Sequence, residues 1–168
     1  MKTNALRIRT AFTLVELTIV IAILGILAAI VVPKLSSATD TAKSNGAFSQ
    51  LTSIRKQLEV WKLDHADLFP TLTQLQEGSS DWAVLTGKST VDGALSEGGT
   101  FGPYFPTPPM NPYTGSSLVV AAGSPVLTAG WTYDTETGVL KLILPEGVEP
   151  ATTELRAGDY EQIGSDPD

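Results

Sequence analysis

The stretch that decides the fold is RTAFTLVELTIVIAILGILAAIVVPK, residues 9–34. Its 21 residues from Phe12 to Val32 are almost entirely apolar. As an α-helix rising ~1.5 Å per residue, they would be about 31 Å long, which matches the roughly 30 Å hydrocarbon core of a bilayer. Length and composition therefore predict a membrane-spanning helix, although Glu16 places a carboxylate within it and Pro33 follows it directly.

The charges around this helix predict its orientation. Lys2, Arg7 and Arg9 precede it, and residues 1–11 contain no acidic residue. Because short positive flanks stay in the cytoplasm, the rest of the chain is expected to be exported. From Phe12 onward the chain has 8 basic and 18 acidic residues, a balance of −10, which argues against phosphate-backbone binding as a bulk property.

Two interpretations of this segment do not involve packing against other subunits. A secretory signal peptide has an apolar stretch of ~7–15 residues and a small-residue cleavage site. Residues 36–38 (Ser-Ser-Ala) could form that site, but the apolar run is too long. A plain single-pass anchor explains everything except Glu16 and Pro33.

The third interpretation is cleavage directly before Phe12, which makes Glu16 the fifth residue of a chain with a free amine. A carboxylate at the membrane centre costs ~2.5–3.5 kcal/mol on insertion scales, and less near an interface or beside a cation. The amine of Phe12 would supply that cation, in the same helix or in a neighbouring helix of a bundle. In a bundle, Glu16 would then set the register between subunits.

The residues A-FTLVELTIVIAILGILAAIVVP closely resemble the class III signal of type IV prepilins and of the pseudopilins of type II secretion systems. The resemblance implies that a prepilin peptidase removes residues 1–11 by cutting between Ala11 and Phe12, and methylates the new amine of Phe12. It implies that Glu16 aligns each subunit against the Phe12 amine of a neighbour. The F-T-L-x-E core, Gly25 and Pro33 match the family positions. Ala11 departs from the usual Gly, so we expect processing to survive but to be slower.

A stripe of small residues supports helix association independently of the resemblance. Thr18, Ala22, Gly25 and Ala29 recur at spacings of four, three and four, so another helix could approach closely on this face. Glu16 points away from it at about 100° per residue. The alternative is that Gly and Ala are simply common in membrane helices.

Pro33 lacks a backbone donor and clashes with the carbonyl one turn earlier, which predicts a kink or a melted turn where the helix leaves the bilayer. The alternative is that Pro33 merely ends the membrane helix. After it, residues 33–63 are predicted to continue the helix in amphipathic form. The predicted core face, Phe48, Leu51, Ile54, Leu58 and Trp61, has helical spacing, so one long helix is predicted over about 13–63.

Residues 64–145 are predicted to form a small α/β head. Phe69-Pro70-Thr71 resembles the pilin-like segment that starts a short second helix, and residues 72–77 and 81–87 could each form a turn or two, with Asp81 as N-cap. Strands are predicted at 117–122, 127–134 and 138–144, the last two joined by the hairpin loop DTETG with Gly138 at positive φ. Trp131, Tyr133, Leu140 and Leu142 would line a sheet face. The predicted fold class is α+β and pilin-like, with the long helix packed on a small antiparallel sheet.

Residues 146–168 are acidic and contain few large apolar groups, which predicts a solvated flexible tail. The alternatives are a docking segment or a cover over the sheet edge. Major adhesive pilins usually close this region with a disulfide, and this chain has no cysteine, which favours a pseudopilin or a minor pilin.

The sequence predicts a structural protein and no enzyme, because it contains no nucleophile–base pair, phosphate loop or metal cluster. His65 is the only histidine, and its expected role is solvated polarity at a helix end. Asp92 and Glu97 are weak calcium candidates, since no D-x-D-x-D-G loop exists. No cofactor is predicted.

The function favoured by the resemblance is that of a major-pseudopilin-like subunit. It would be stored in the inner membrane and polymerised through its N-terminal helix into a homo-oligomeric fibre for protein secretion. Its implied partners are prepilin peptidase, an assembly platform, and minor pilins or pseudopilins. One alternative is a type IV pilin for adhesion, motility or DNA uptake, and the other is a membrane-anchored binding module that never polymerises.

Overall fold

A computed structural model describes residues 12–77 and 81–164. The chain divides into two compact units, Met1–Thr39 and Asp40–Asp168. Helix α1, Leu14–Asp64, contributes to both units, and the long helix predicted from the sequence is confirmed. In the first unit no described residue is buried.

The second unit is built on the C-terminal half of α1. One face of this half is buried, and its members recur at intervals of three and four residues: Ser44, Ala47, Leu51, Ile54, Leu58 and Trp61. The predicted core face is therefore confirmed, with Phe48 only partly buried at its edge. Burying a leucine or isoleucine side chain contributes about 1.5–3 kcal/mol relative to leaving it exposed, so this face provides much of the attachment of the head to the helix.

Two short helices precede the sheet, α2 at Leu72–Leu75 and α3 at Ala83–Thr86. Thr71 caps α2 through a capping box with Gln74, as expected for the turn after Pro70. Asp81, in contrast, does not cap α3, because the cap position is held by Trp82 at φ 73°. The carboxylate of Asp81 accepts a hydrogen bond from the backbone N–H of Val119 at 2.7 Å instead.

The sheet has four strands in the order β1-β2-β3-β4, namely Val119–Ala121, Trp131–Tyr133, Leu140–Leu144 and Tyr160–Gln162. The α+β architecture with a long helix and a small sheet is confirmed. The expected antiparallel pairing holds only for β2 and β3, whereas β1–β2 and β3–β4 are parallel. The reason lies in the connections: a tight hairpin loop reverses the chain, while the longer segments 122–130 and 145–159 return it to the end where it started.

The predicted hairpin between β2 and β3 is present. Gly138 has φ 71°, and Asp134 holds the loop by accepting hydrogen bonds from the Thr137 hydroxyl at 2.7 Å and from the Glu136 N–H at 2.9 Å. The four side chains predicted for the sheet face, Trp131, Tyr133, Leu140 and Leu142, are all buried.

The segment expected to be a flexible tail instead belongs to the fold as far as the structure describes it, and the alternative of a cover over the sheet edge is correct. We call residues 146–164 the C-terminal strap. Its strand β4 pairs with β3, opposing Tyr160 to Leu142. Its acidic composition misled the prediction because ion pairs, rather than a large apolar surface, attach it.

Candidate assembly site

The first unit presents an apolar helix with no partner in this single chain. Its large side chains, from Phe12 at 82% exposure to Leu35 at 65%, are all exposed. The helix is long and apolar enough to cross a membrane. An apolar surface of this extent is unfavourable in water, so lipid or other helices must cover it.

The N-terminus of this helix is closed by a reciprocal cap between Thr13 and Glu16. The backbone N–H and the hydroxyl of Thr13 both donate to Oε2 of Glu16, each at 2.9 Å, and the N–H of Glu16 donates back to the Thr13 hydroxyl at 3.2 Å. This is a capping box, in which two otherwise unpaired backbone donors are satisfied. Glu16 is therefore stabilised within its own chain before it meets any partner.

Both bonds to the Glu16 carboxylate end on Oε2. The other oxygen, Oε1, accepts no hydrogen bond from any residue in the described part of the chain. A carboxylate can accept bonds on both oxygens, so Oε1 can accept a hydrogen bond from a cation of a second molecule while the cap stays closed.

Sequence reasoning had assigned Glu16 and overlooked Thr13. The signal was available, because Thr13-Leu14-Val15-Glu16 has the T-x-x-E spacing of a capping box directly before an apolar run.

The small-residue stripe lies on one face of a regular helix. Thr18, Ala22, Gly25 and Ala29 are all exposed and helical, and no atom of another part of the chain lies within 4 Å of a Cβ built on Gly25. The hydroxyl of Thr18 donates to Val15 O at 2.9 Å, so this face carries no unpaired polar hydrogen. Nothing in the described chain obstructs the approach of a second helix.

Pro33 lies inside α1, and the helix continues through it. The melted turn considered from the sequence is therefore not present in this structure. Pro33 has no N–H to offer to the carbonyl of Ala29, so α1 lacks one hydrogen bond here. Of the processing residues, Phe12 directly precedes the cap and is exposed, while Ala11 lies outside the described residues.

The head contains one correction to the predicted site chemistry. His65 is 3% exposed rather than solvated. Its ring stacks on Trp61 at 3.6 Å between centroids, Nδ1 lies 2.8 Å from Trp61 O, and Nε2 lies 3.0 Å from the Ser89 hydroxyl. Because a carbonyl can only accept, Nδ1 donates to Trp61 O, and Nε2 shares a hydrogen bond with the Ser89 hydroxyl.

The acidic side chains of the head do not form a metal cluster: the described residues contain no group of three or more His, Cys, Asp or Glu that could hold an ion. Asp92, one of the weak calcium candidates, is bonded instead to the Thr90 hydroxyl, which lowers the pKa of that carboxyl. The His65 ring faces a cleft of about 300 Å³ beside Phe69 and Gly93, and both of its nitrogens are already bonded.

Comparison with known proteins agrees with the geometry of the N-terminal unit. Residues 6–32 match the family described as the prokaryotic N-terminal methylation motif. The chain is 40% identical over 68 residues to the type II secretion system core protein G of Dickeya chrysanthemi, covering 40% of this chain and 44% of that protein.

Two further relatives carry the same name. The protein from Pseudomonas aeruginosa is 44% identical over 59 residues, covering 35% of this chain and 42% of its own length, and that from Vibrio cholerae is 38% identical over 69 residues, covering 41% and 47%. The chain thus spans less than half the length of the curated relatives it matches. No solved structure matches it. Its resemblance to type IV prepilins and type II secretion pseudopilins is confirmed by the methylation motif and by these relatives.

Proposed function

We propose that this chain is a structural subunit of a type II secretion pseudopilus. The observation that carries the proposal is the exposed apolar helix beginning at Leu14 with a capped carboxylate, Glu16, in its first turn. Such a helix must be covered by lipid or by other helices. In this proposal lipid covers it while the subunit is stored in the membrane, and the helices of neighbouring subunits cover it in the fibre. The name of the relatives, a type II secretion system core protein, favours secretion over an adhesive pilus.

Maturation begins at the inner membrane, with the N-terminus in the cytoplasm and the head outside it. Prepilin peptidase cuts between Ala11 and Phe12 and methylates the new amine. The head then carries no catalytic or cofactor role, and its task is to pack against other subunits.

Assembly uses two faces of the helix. The stripe Thr18, Ala22, Gly25 and Ala29 allows close helix approach, because van der Waals packing between small residues drives association in lipid. On the opposite side, Glu16 accepts the Phe12 amine of a neighbour through Oε1 while Oε2 keeps the cap on Thr13. The charge pair is possible only in one register, so it selects the correct stagger between subunits.

Pro33 supplies the flexibility that a packed fibre needs. The helix is already one hydrogen bond short at this point, so unwinding a turn there costs less than elsewhere in α1. An assembly platform and minor pseudopilins are the further partners that this role requires.

The test is the intact mass and N-terminal sequence of the protein from cells that have their own processing enzymes. A chain that begins at methylated Phe12 and sediments in fibres supports the proposal. A chain that begins at Met1 and stays monomeric would instead identify a plain membrane anchor.

Substitutions at Glu16 then separate a subunit from an anchor. In a subunit, Glu16→Ala leaves insertion intact and strongly reduces incorporation into fibres, whereas Val15→Ala on the same turn has a small effect. Incorporation of Glu16→Ala at the normal level would refute the assembly role of this carboxylate.

A further inference from the structure

The C-terminal strap, residues 146–164, buries little apolar surface in the head. Within it only Leu155 is buried, and all three residues of β4 are half-buried. Away from β4 its attachment to α1 includes a single polar contact, from the Ala151 N–H to the Ser44 hydroxyl at 2.8 Å, while the Gln162 side chain bonds to Val148 O within the strap itself at 2.9 Å. Segments with few buried apolar contacts open at low free energy.

Two carboxylates clamp the strap to different layers of the head. Asp159, directly before β4, pairs with Arg55 on α1 at 2.7 Å. Glu161, within β4, pairs with Lys141 on β3 at 3.3 Å and accepts from the backbone N–H of Gly123 at 3.2 Å. The clamp therefore recognises this particular sequence and not merely any extended strand.

The strand that pairs with the strap is mostly apolar, whereas the strap is acidic. Strand β3, Leu140–Leu144, is apolar except for Lys141, and its other four residues are buried. Its carbonyls at Leu140 and Leu144 point toward the strap side, since Leu144 O accepts from the Ile163 N–H and Leu140 O accepts from the Arg55 guanidinium at 3.1 and 2.8 Å. If the strap opens, β3 becomes an unpaired edge of high β-propensity that must find another strand.

The strand that fits this edge best is β4 itself, from a second copy of the chain. A second copy would bring the same Asp159 to Arg55, the same Glu161 to Lys141 and the same ladder to β3, so exchange keeps the clamp and gives up only the contacts of the link itself, at Ala151 and Leu155. The link from β3 to β4, residues 145–159, spans roughly 50 Å when fully extended, which is enough to reach an adjacent subunit.

We propose that neighbouring subunits exchange their C-terminal straps, so that β4 of one copy pairs with β3 of the next. This inference rests on the proposed fibre, because free subunits meet too rarely for exchange, whereas packed neighbours have an effective concentration in the millimolar range. A head-to-tail exchange does not close on itself and continues along a filament. The exchanged straps link the heads of a fibre whose helices are already packed.

The experiment uses the absence of cysteine in this chain. Leu144 and Gln162 are register partners in the β3–β4 pair, and neighbouring strands lie ~4.8 Å apart. Two full-length chains with different tags, one carrying Leu144→Cys and the other Gln162→Cys, are co-expressed in cells with their own assembly machinery and are then oxidised. A cross-link between the two tags above the background of random collision requires that a strap lies on the β3 of another copy.

The control variants measure the background of random cross-linking and test the role of the Asp159 ion pair. The double variant Leu144→Cys/Gln162→Cys shows that the pair can be joined, and Glu136→Cys, at the exposed hairpin tip, replaces Leu144→Cys to measure random collision. Asp159→Asn, introduced only into the chain that carries Leu144→Cys, loosens that chain's own strap and raises the yield between tags, whereas Glu154→Gln, an exposed acid in the same strap, leaves it unchanged.

We expect a cross-link between the tags several-fold above the Glu136→Cys background. Fibres with only background cross-linking would overturn strap exchange and leave the fibre proposal intact. Cross-linking without fibres would overturn the fibre proposal and, with it, the premise that exchange needs packed neighbours. Neither fibres nor cross-links would overturn both.

Discussion

Arg55 and Asp159 are 104 residues apart in the chain, yet Nη1 of the arginine lies 2.7 Å from Oδ1 of the aspartate. The same guanidinium donates through Nε and Nη2 to Leu140 O. Arg55 thus bonds to the β3 carbonyl that lies before the first register pair of the parallel ladder, Leu142 with Tyr160. One side chain of the long helix therefore ends the β3–β4 ladder and anchors the segment that forms its outer strand.

The first prediction concerns the pH dependence of this ion pair. Burial alone would raise the pKa of Asp159, but the hydrogen bonds from the Arg156 N–H and the Arg55 guanidinium outweigh burial and hold this pKa below its ordinary value. A carboxyl with a lowered pKa in the folded state contributes stability above its unfolded pKa of about 3.9, and loses it as the pH falls through the folded pKa.

Asp159→Asn should therefore lower the free energy of unfolding by about 1 kcal/mol at neutral pH, because Asp159 is only partly buried. The deficit should shrink as the pH falls below about 4. Urea unfolding of the full chain in mild detergent, followed by circular dichroism across this range, measures both quantities. Glu154→Gln is the matched control, and a deficit that persists undiminished at low pH would contradict the assignment.

The second prediction concerns Asn111, whose side chain is fully buried and fully bonded. Its Nδ2 donates to Gly130 O and to Ile143 O, each at 2.7 Å, while its Oδ1 accepts from the Tyr113 N–H at 2.7 Å. It thereby fastens the loop around residues 111–115 to strands β2 and β3.

Asn111→Ala should lower the free energy of unfolding by about 2–4 kcal/mol, since it leaves several buried backbone groups unpaired at about 1–3 kcal/mol each. Asn111→Asp keeps the shape but replaces both donors with a charge, so it should be at least as damaging. The exposed Asn45 provides the control, and Asn45→Ala should change stability by less than ~0.5 kcal/mol. Equal effects of Asn45→Ala and Asn111→Ala would contradict the role given to this side chain.

The third prediction concerns the buried contact between His65 and Ser89. Ser89→Ala removes the hydroxyl that is hydrogen-bonded to Nε2 and leaves this buried nitrogen without that partner, so we expect a loss of about 1–3 kcal/mol in the free energy of unfolding. Ser53→Ala on the exposed side of α1 is the control. Since Trp61 stacks on His65, its fluorescence should change in the Ser89 variant, and an unaltered spectrum with unaltered stability would refute the assigned bond.

The parts of the fold that could be predicted from the sequence are those with a periodic or local sequence pattern. The face of α1 from Leu51 to Trp61 repeats an apolar residue every three or four positions, and the loop before Gly138 has turn chemistry of its own, so both were predictable from local sequence. Strand β4, in contrast, is Tyr160-Glu161-Gln162 and has no apolar alternation. Two ion pairs hold this segment in place, from Asp159 to Arg55 and from Glu161 to Lys141. Their partners are distant in the sequence, so no local pattern predicts them.

The candidate site shows the same limit. Glu16 is conspicuous as a carboxylate in an apolar run, and the stripe around Gly25 is visible from its spacing, but the assembly roles of both stay predictions. His65 was misjudged because a single histidine near a helix end carries no sign of the Trp61 ring that stacks on it. Thr13 was missed although its spacing from Glu16 was visible, because the resemblance directed attention to the partner in another subunit.

The last prediction concerns this cap. Thr13→Val keeps the shape of the side chain but removes the hydroxyl that both donates to Oε2 of Glu16 and accepts the Glu16 N–H. Loss of an N-cap costs about 1 kcal/mol, which corresponds to roughly a fivefold shift in an equilibrium. If assembly requires Glu16 to be held in place, incorporation of Thr13→Val into fibres should fall by about this factor, and Thr13→Ser should restore it because serine caps equally well.

The measurement is the fraction of tagged subunit in sheared fibres relative to the membrane pool, with Thr39→Val as the control, since Thr39 is exposed on the same helix and its hydroxyl bonds locally, to Leu35 O. Glu16→Ala should be more severe than Thr13→Val, because it removes the charge as well as the cap. The double variant should be no worse than Glu16→Ala alone, since Thr13 acts only through that carboxylate. Additive losses in the double variant would instead mean that Thr13 contacts the neighbouring subunit directly, and that the cap is incidental to assembly.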